Sequence, residues 1–248
     1  MTLPDGFGQN AENINTCFSY ATALTSLTLP AGFGQNATDI GQCFNQCVSL
    51  MELTLPDGFG QNATTLNDCF SRCISLKSLT LPAGFGQNAT RFLNLFLQCT
   101  ALTSLTLPAG FGQNVTDLDS CFAGCTALTS LTLPAGFGQN ATRIYGFFYN
   151  CTALTSLTLP DGFGQNATNL SRCFNLCNSL TTITGNPNFK VNVDLSYSKN
   201  LTHDSIMVVI NGLQTVTSTQ TLTLGSTNLA KLTEADKQIA TDKGWTLA

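Results

Sequence analysis

Leu29-Pro30-Ala31-Gly32-Phe33-Gly34-Gln35-Asn36 is one of seven copies of Leu-Pro-(Ala/Asp)-Gly-Phe-Gly-Gln-Asn, which begin at Leu3, Leu29, Leu55, Leu81, Leu107, Leu133 and Leu159. Each start follows the last by 26 residues, without insertion or deletion. So strict a period predicts a solenoid, in which each unit stacks on its neighbours and all share one core. It overrides the one or two globular domains that 248 residues would otherwise suggest.

Outward from the octapeptide, two periodicities alternate. In the copy that begins at Ala37, Ile40, Cys43, Phe44, Cys47 and Leu50 recur as one face of a helix does. Leu53 and Leu55 then flank Thr54 in the alternation of a short strand. Pro56 cannot donate to a sheet ladder, and Gly58 and Gly60 permit a tight turn, so the strand should stop there. The unit reads as strand, Gly-rich turn, helical segment and return. The expected fold is a right-handed α/β solenoid with a parallel sheet on one face and short helices on the other. About eleven coils at ~4.8 Å per strand give an axis of roughly 50 Å. Helices being wider than strands, the sheet is expected to curve.

Fourteen of the seventeen Phe residues fall in two unbroken columns, Phe18 to Phe174 in the helical segment and Phe7 to Phe163 in the turn. Stacked aromatics at one level of every coil predict a core spine. Residues 1–184 are thus seven repeats. Met1 sits in the column of Leu27, Leu53 and Leu79, so the first coil is expected to be truncated, as in a fragment of a longer protein. From Gly185 the register fades. Val193 to Ser196, Leu222 to Leu224 and Trp245 to Leu247 read as strands. Thr202 should cap a helix that stops at Gly212, and Thr233 with Asp236 resembles a capping box for a helix ending near Gly244. Residues 185–248 are expected to be atypical repeats that act as a cap.

The run Leu50-Met51-Glu52-Leu53-Thr54-Leu55 up to Asn62 resembles a leucine-rich repeat. Ala37 to Leu50 is similar in particular to the BspA-like branch of bacterial surface proteins, which shares the 26-residue length. Val193 to Leu213 is similar instead to a longer, ribonuclease-inhibitor-type repeat. The resemblance implies a non-enzymatic, extracellular or surface-anchored adhesion module. One departure is the Gly-rich turn, which family members often fill with Ser, Asn, Asp and Thr.

Chemistry-bearing residues have bland readings here. Cysteine pairs four apart, such as Cys43/Cys47 and Cys121/Cys125, face the core, and the first column accepts Leu95 and Phe147. With His203 the only His, the eleven thiols read as buried hydrophobes, with neither a metal site nor a cofactor. Asn36, Asn62, Asn88, Asn114, Asn140 and Asn166 begin Asn-x-Thr sequons, but also suit an amide ladder that satisfies backbone groups. The letters Thr202-His203-Asp204-Ser205 suggest a triad, yet side chains adjacent at a helix start cannot reach that geometry. No nucleophile has a positioned base, which argues against an enzyme.

Net charge is −4, and charged residues make up only 10% of the chain, leaving no footprint for nucleic acid or anionic lipid. No apolar run reaches the ~18 residues of a membrane span. Any export signal would lie outside this segment. Two surfaces remain for a protein or glycan partner. The sheet carries Thr28, Thr54, Thr80, Thr106, Thr132 and Thr158 in one row, a lattice that also raises an ice-binding alternative. Curvature and Glu52 work against ice matching. A third reading is a phage tail-associated receptor-binding protein. The opposite face is where copies differ: Arg91, Leu93, Leu97, Arg143, Tyr145 and Tyr149 interrupt polar columns there, and Tyr and Arg are enriched in binding hot spots.

Overall fold

Short apolar-centred segments ahead of each Pro do form strands. The computed structural model describes residues Met1–Ala248. It places β1 at Ser26–Thr28, β2 at Glu52–Thr54, β3 at Ser78–Thr80, β4 at Ser104–Thr106, β5 at Ser130–Thr132, β6 at Ser156–Leu159 and β7 at Thr182–Gly185. Pairing is parallel and in repeat register, Leu27 with Leu53 and Leu157 with Ile183. Strand leucines point inward while the flanking Ser and Thr face solvent, as a period of two requires.

The face opposite the strands differs from expectation. Ile40, Cys43, Phe44, Cys47 and Leu50 are all fully buried, as their spacing demands. The backbone that buries them is a run of tight turns, and no α-helix occurs before His203. Two residues per coil, four apart, take positive φ: Gln42 at 54° and Gln46 at 59°, Asn94 at 56° and Gln98 at 57°. This alternation sends N–H groups in two directions. Those of Ile14, Thr16, Phe18 and Tyr20 donate to carbonyls of the next coil at 2.8–3.0 Å, whereas Cys17, Ser19 and Ala21 donate three residues back within their own coil. A helix would spend its N–H groups internally and pack against its neighbour at 8–10 Å. The turn run instead pairs coil to coil at β spacing.

That substitution removes the wedge expected to curve the sheet. The turn-face ladder is continuous from Asn13 to Asn169. The strand face is interrupted, with pairing in groups β1–β2, β3–β4 and β5–β6–β7. The class of fold stands, an α/β solenoid with parallel strands and few helices; what changes is the element behind the sheet.

The interior holds the two Phe columns. Phe44, Phe70 and Phe96 stack at 5.5 and 5.2 Å between ring centroids, and Phe33, Phe59 and Phe85 at 6.2 and 6.0 Å. Phe7 and Cys17 are exceptions, exposed on the first coil where nothing packs over them. At the other end α1 (His203–Asn211) covers β7, with Ile183 N–H donating to Ser205 Oγ at 3.0 Å and Thr202 N–H to the Thr181 carbonyl at 2.9 Å. Beyond it lie β8 (Val193–Asp194), β9 (Gln220–Thr223), α2 (Gly225–Leu229), α3 (Glu234–Asp242) and β10 (Trp245–Leu247). Strands β8, β9 and β10 form one parallel sheet. Thr202 caps α1, and Thr233 with Asp236 closes a full capping box on α3.

His203 joins these two helices, its Nε2 lying 3.1 Å from Asp236 Oδ2. Asp236 and Asp204 raise the His203 pKa, and the bonds from His203 and Thr233 hold Asp236 down to about 2. A raised His stabilises below its ordinary value near 6.5 and loses that contribution as pH climbs through its folded value. A lowered Asp stabilises above its ordinary 3.8 and loses that contribution on acidification. The α1–α3 contact should therefore hold best between about pH 4 and 6.5. Protection factors of α3 amides, the intrinsic exchange rate at each pH divided by the observed rate, should be largest in that window, and His203→Gln should abolish the alkaline side of the profile; an unchanged profile would refute the contact.

Far-UV circular dichroism offers a second check. The helical signal should come from α1–α3 alone and fall to near zero when they are disrupted. A spectrum demanding a helical segment in every coil would contradict the turn run.

Candidate functional site

Uniform columns cannot mark one address along an array, so the informative positions are the breaks. Two adjacent columns on the turn face run Ser19, Asn45, Ser71, Leu97, Ala123, Tyr149, Asn175 and Tyr20, Gln46, Arg72, Gln98, Gly124, Asn150, Leu176. Only the fifth copy places two minimal residues together, Ala123-Gly124. Its neighbours keep full side chains, Leu97-Gln98 below and Tyr149-Asn150 above. The missing atoms leave a notch of about 300 Å³ between them. Ile74, Leu97, Ala123 and Tyr149 are its apolar wall, and Gln98 and Ser120 are among its polar rim. Ile74 and Tyr149 are two of the few large apolar side chains exposed anywhere on the chain. No lining residue is charged.

Elsewhere on the same face two arginines, Arg91 and Arg143, are held by a pair of aspartates. Asp117 and Asp119 are buried, only 7% and 6% exposed. Burial of a carboxylate demands partners. Asp117 accepts from Asp119 N–H at 3.1 Å and from Arg91 Nη2 at 3.3 Å. Asp119 accepts from Tyr145 N–H and Arg143 Nε, both at 2.9 Å, and from Arg143 Nη2. These bonds and charges raise the Arg143 pKa further, so its guanidinium stays charged. The Arg172 guanidinium sits 5.9 Å from the Tyr145 ring centroid, within cation–π range.

Of the six residues singled out on this face, Leu97 and Tyr149 line the notch, and Arg91, Arg143 and Tyr145 join through the aspartate pair. Leu93 stands apart, half-buried, its N–H bonded to Asn67 Oδ1 at 3.3 Å. Sequence reasoning missed Ile74, Ala123, Gly124, Asp117 and Asp119. Gly124 carried a readable signal, the one glycine in a column of long side chains; burial of Asp117 and Asp119 carried none.

On the strand face Thr28, Thr54, Thr80, Thr106 and Thr132 are exposed and Thr158 is half-buried. Their row is split where pairing lapses. Clefts of about 360 and 350 Å³ open there, one between Leu53–Leu55 and Ser78–Thr80, the other between Ser104–Thr106 and Ser130–Thr132. A continuous hydroxyl lattice does not survive those gaps.

The asparagine column is a ladder, as expected. Asn36, Asn62, Asn88, Asn114, Asn140 and Asn166 each donate Nδ2–H to the Gln carbonyl of the preceding coil, at 2.8–3.0 Å. The second cysteine column forms another. Cys47, Cys73, Cys99, Cys125, Cys151 and Cys177 donate Sγ–H to the Phe carbonyl of the coil before at 3.1–3.2 Å. All eleven thiols are free, and ten are buried. Burial pushes Cys125 up to about 12 and Cys47 to about 11, so neither supplies a thiolate nucleophile at neutral pH. A thiol reagent should therefore titrate one cysteine, Cys17, in the native protein and all eleven after denaturation without reductant. Rapid modification of several native thiols would contradict the ladder.

The family model for the BspA type leucine rich repeat region matches the chain in six copies, over residues 12–139 and 93–233. No curated protein matches the sequence. Among solved structures, the leucine rich repeat protein TpLRR of T. pallidum aligns with a TM-score of 0.52 at 19% identity, covering 78% of this chain and 86% of that one. A leucine rich cell surface protein of Faecalibacterium prausnitzii A2-165 aligns at 17% identity and a TM-score of 0.32, covering 69% and 68% of the two chains.

Proposed function

The chain belongs to the BspA-type leucine-rich-repeat family, and on that premise we propose that it is a non-catalytic recognition module of the cell surface or extracellular space. It binds a protein or glycan partner through the turn face of coils four to six. The notch at Ala123-Gly124 carries this reading. It is an apolar recess lined by Tyr149, on a mostly polar face that also carries the four arginines, and Tyr and Arg are the residue types enriched in hot spots. The family's general role in interaction and adhesion agrees with it. No helix is long and apolar enough to cross a membrane.

Retention of the labelled chain on candidate cell surfaces tests the assignment by flow cytometry. Leu97→Asn with Tyr149→Ser installs residue types already present in the same column and should lower binding at least tenfold, a loss of about 1.4 kcal/mol. Alanine at Thr80, Thr106 and Thr132 should leave binding within twofold. The reverse pattern would assign recognition to the strand face.

A further inference from the structure

Resting on that reading of the turn face, we infer that the notch takes one large apolar side chain of a polypeptide partner whose flanking residues are acidic. The chain has four arginines, Arg72, Arg91, Arg143 and Arg172, and all four lie on the turn face of coils three to seven. Five of the six lysines lie beyond residue 185, and Lys77 precedes β3. In a protein of net charge −4 this places all of its guanidinium groups on the face that carries an uncharged apolar recess, though none of them lines it.

The carboxylates that belong to the same face do not cancel it at the surface. Asp117 and Asp119 lie beneath and are buried, whereas the Arg91 and Arg143 side chains remain 52% and 62% exposed. Arg72 and Arg172 are exposed as well, and the salt bridges of this face engage only Arg91 and Arg143. Asp68 lies near Arg72, and Asp194 lines a cleft with Arg172, but neither forms a salt bridge with its arginine. A guanidinium anchored from below still has outward N–H donors for a second carboxylate, in the fork geometry that Arg offers. The recess itself presents Ile74, Leu97, Ala123 and Tyr149, so its centre selects against charge. About 300 Å³ accommodates a single Phe, Trp, Leu or Met side chain but no folded element.

The test is a random-peptide display library selected on the intact chain and counter-selected on a filled-notch variant. Ala123→Ser with Gly124→Gln supplies the filling, copying Ser71 and Gln98 of sister coils. Sister coils carry the same residue there: Gly124 has φ +77°, Gln46 and Gln98 hold +59° and +57° in the same column, and an added Cβ meets the flexible Gln98 Cγ at 3.2 Å, which must shift by a few tenths of an ångström. Circular dichroism confirms that the variant folds. Enriched peptides should carry one large apolar residue flanked by Asp or Glu. By fluorescence anisotropy their affinity should fall at least tenfold on the filled variant and at least threefold on Arg72→Gln with Arg172→Gln. Raising salt from 50 to 500 mM should weaken them further. Enriched peptides that are basic or lack the apolar residue would overturn the inference, as would notch-dependent binding of free hexoses alone; both leave the turn face as the binding surface. Peptides indifferent to the filled notch, or none enriched, would also overturn it.

Discussion

Coil-to-coil pairing of turn-face amides is the constraint on which this solenoid depends. Each coil must satisfy its backbone within the pitch set by parallel strands, ~4.8 Å. Alternating positive-φ residues with ordinary ones lets Ile14, Thr16, Phe18 and Tyr20 bond to the next coil while the amides between them close turns. That pitch also sets the stacked Phe spacing within each column at 5.2–6.5 Å, within the range for offset stacking, and brings the Asn and Cys donors to the carbonyls of the preceding coil. One geometric choice thus supports the core and the two side-chain ladders.

Much of this was legible from the residues. The 26-residue period set the coil, and Pro with two glycines set the strand ends. Two unbroken Phe columns located the core, and the Asn column identified itself as a ladder. The turn run was not legible from apolar spacing, because positions 0, 3, 4 and 7 fit one face of a helix and the inward corners of consecutive four-residue turns alike. What separates them is conformational. Gly124, Gly146, Asp68, Asn94 and Asn150 sit in the positive-φ columns, where Gly, Asn and Asp are the tolerant residues. Gln42, Gln46 and Arg72 in the same columns masked that signal, being ordinary helix formers.

Legibility of the site divides along the same line. Departures from a column are visible in the letters, which is how Leu97, Arg143, Tyr145 and Tyr149 stood out. A recess made by absent atoms needs the stacking geometry, since Ala123-Gly124 matters only between Leu97-Gln98 and Tyr149-Asn150. Asp117 and Asp119 look like surface acids in sequence. Their burial comes with Arg91 and Arg143, which bond to them from the adjacent coils, whereas Asp39 and Asn169 on the same ladder stay accessible.

Replacing Gln42 by glycine probes that ladder most directly. Gln42 is exposed and holds φ +54°, a conformation that costs an L-residue about 1–2 kcal/mol and glycine almost nothing. The greater chain entropy of unfolded glycine offsets about 0.5–1 kcal/mol of that relief. Denaturant unfolding of Gln42→Gly should therefore show stability unchanged or raised by up to about 1.5 kcal/mol. In a helix the same substitution costs about 1 kcal/mol, and a loss of that size would contradict the turn-built solenoid.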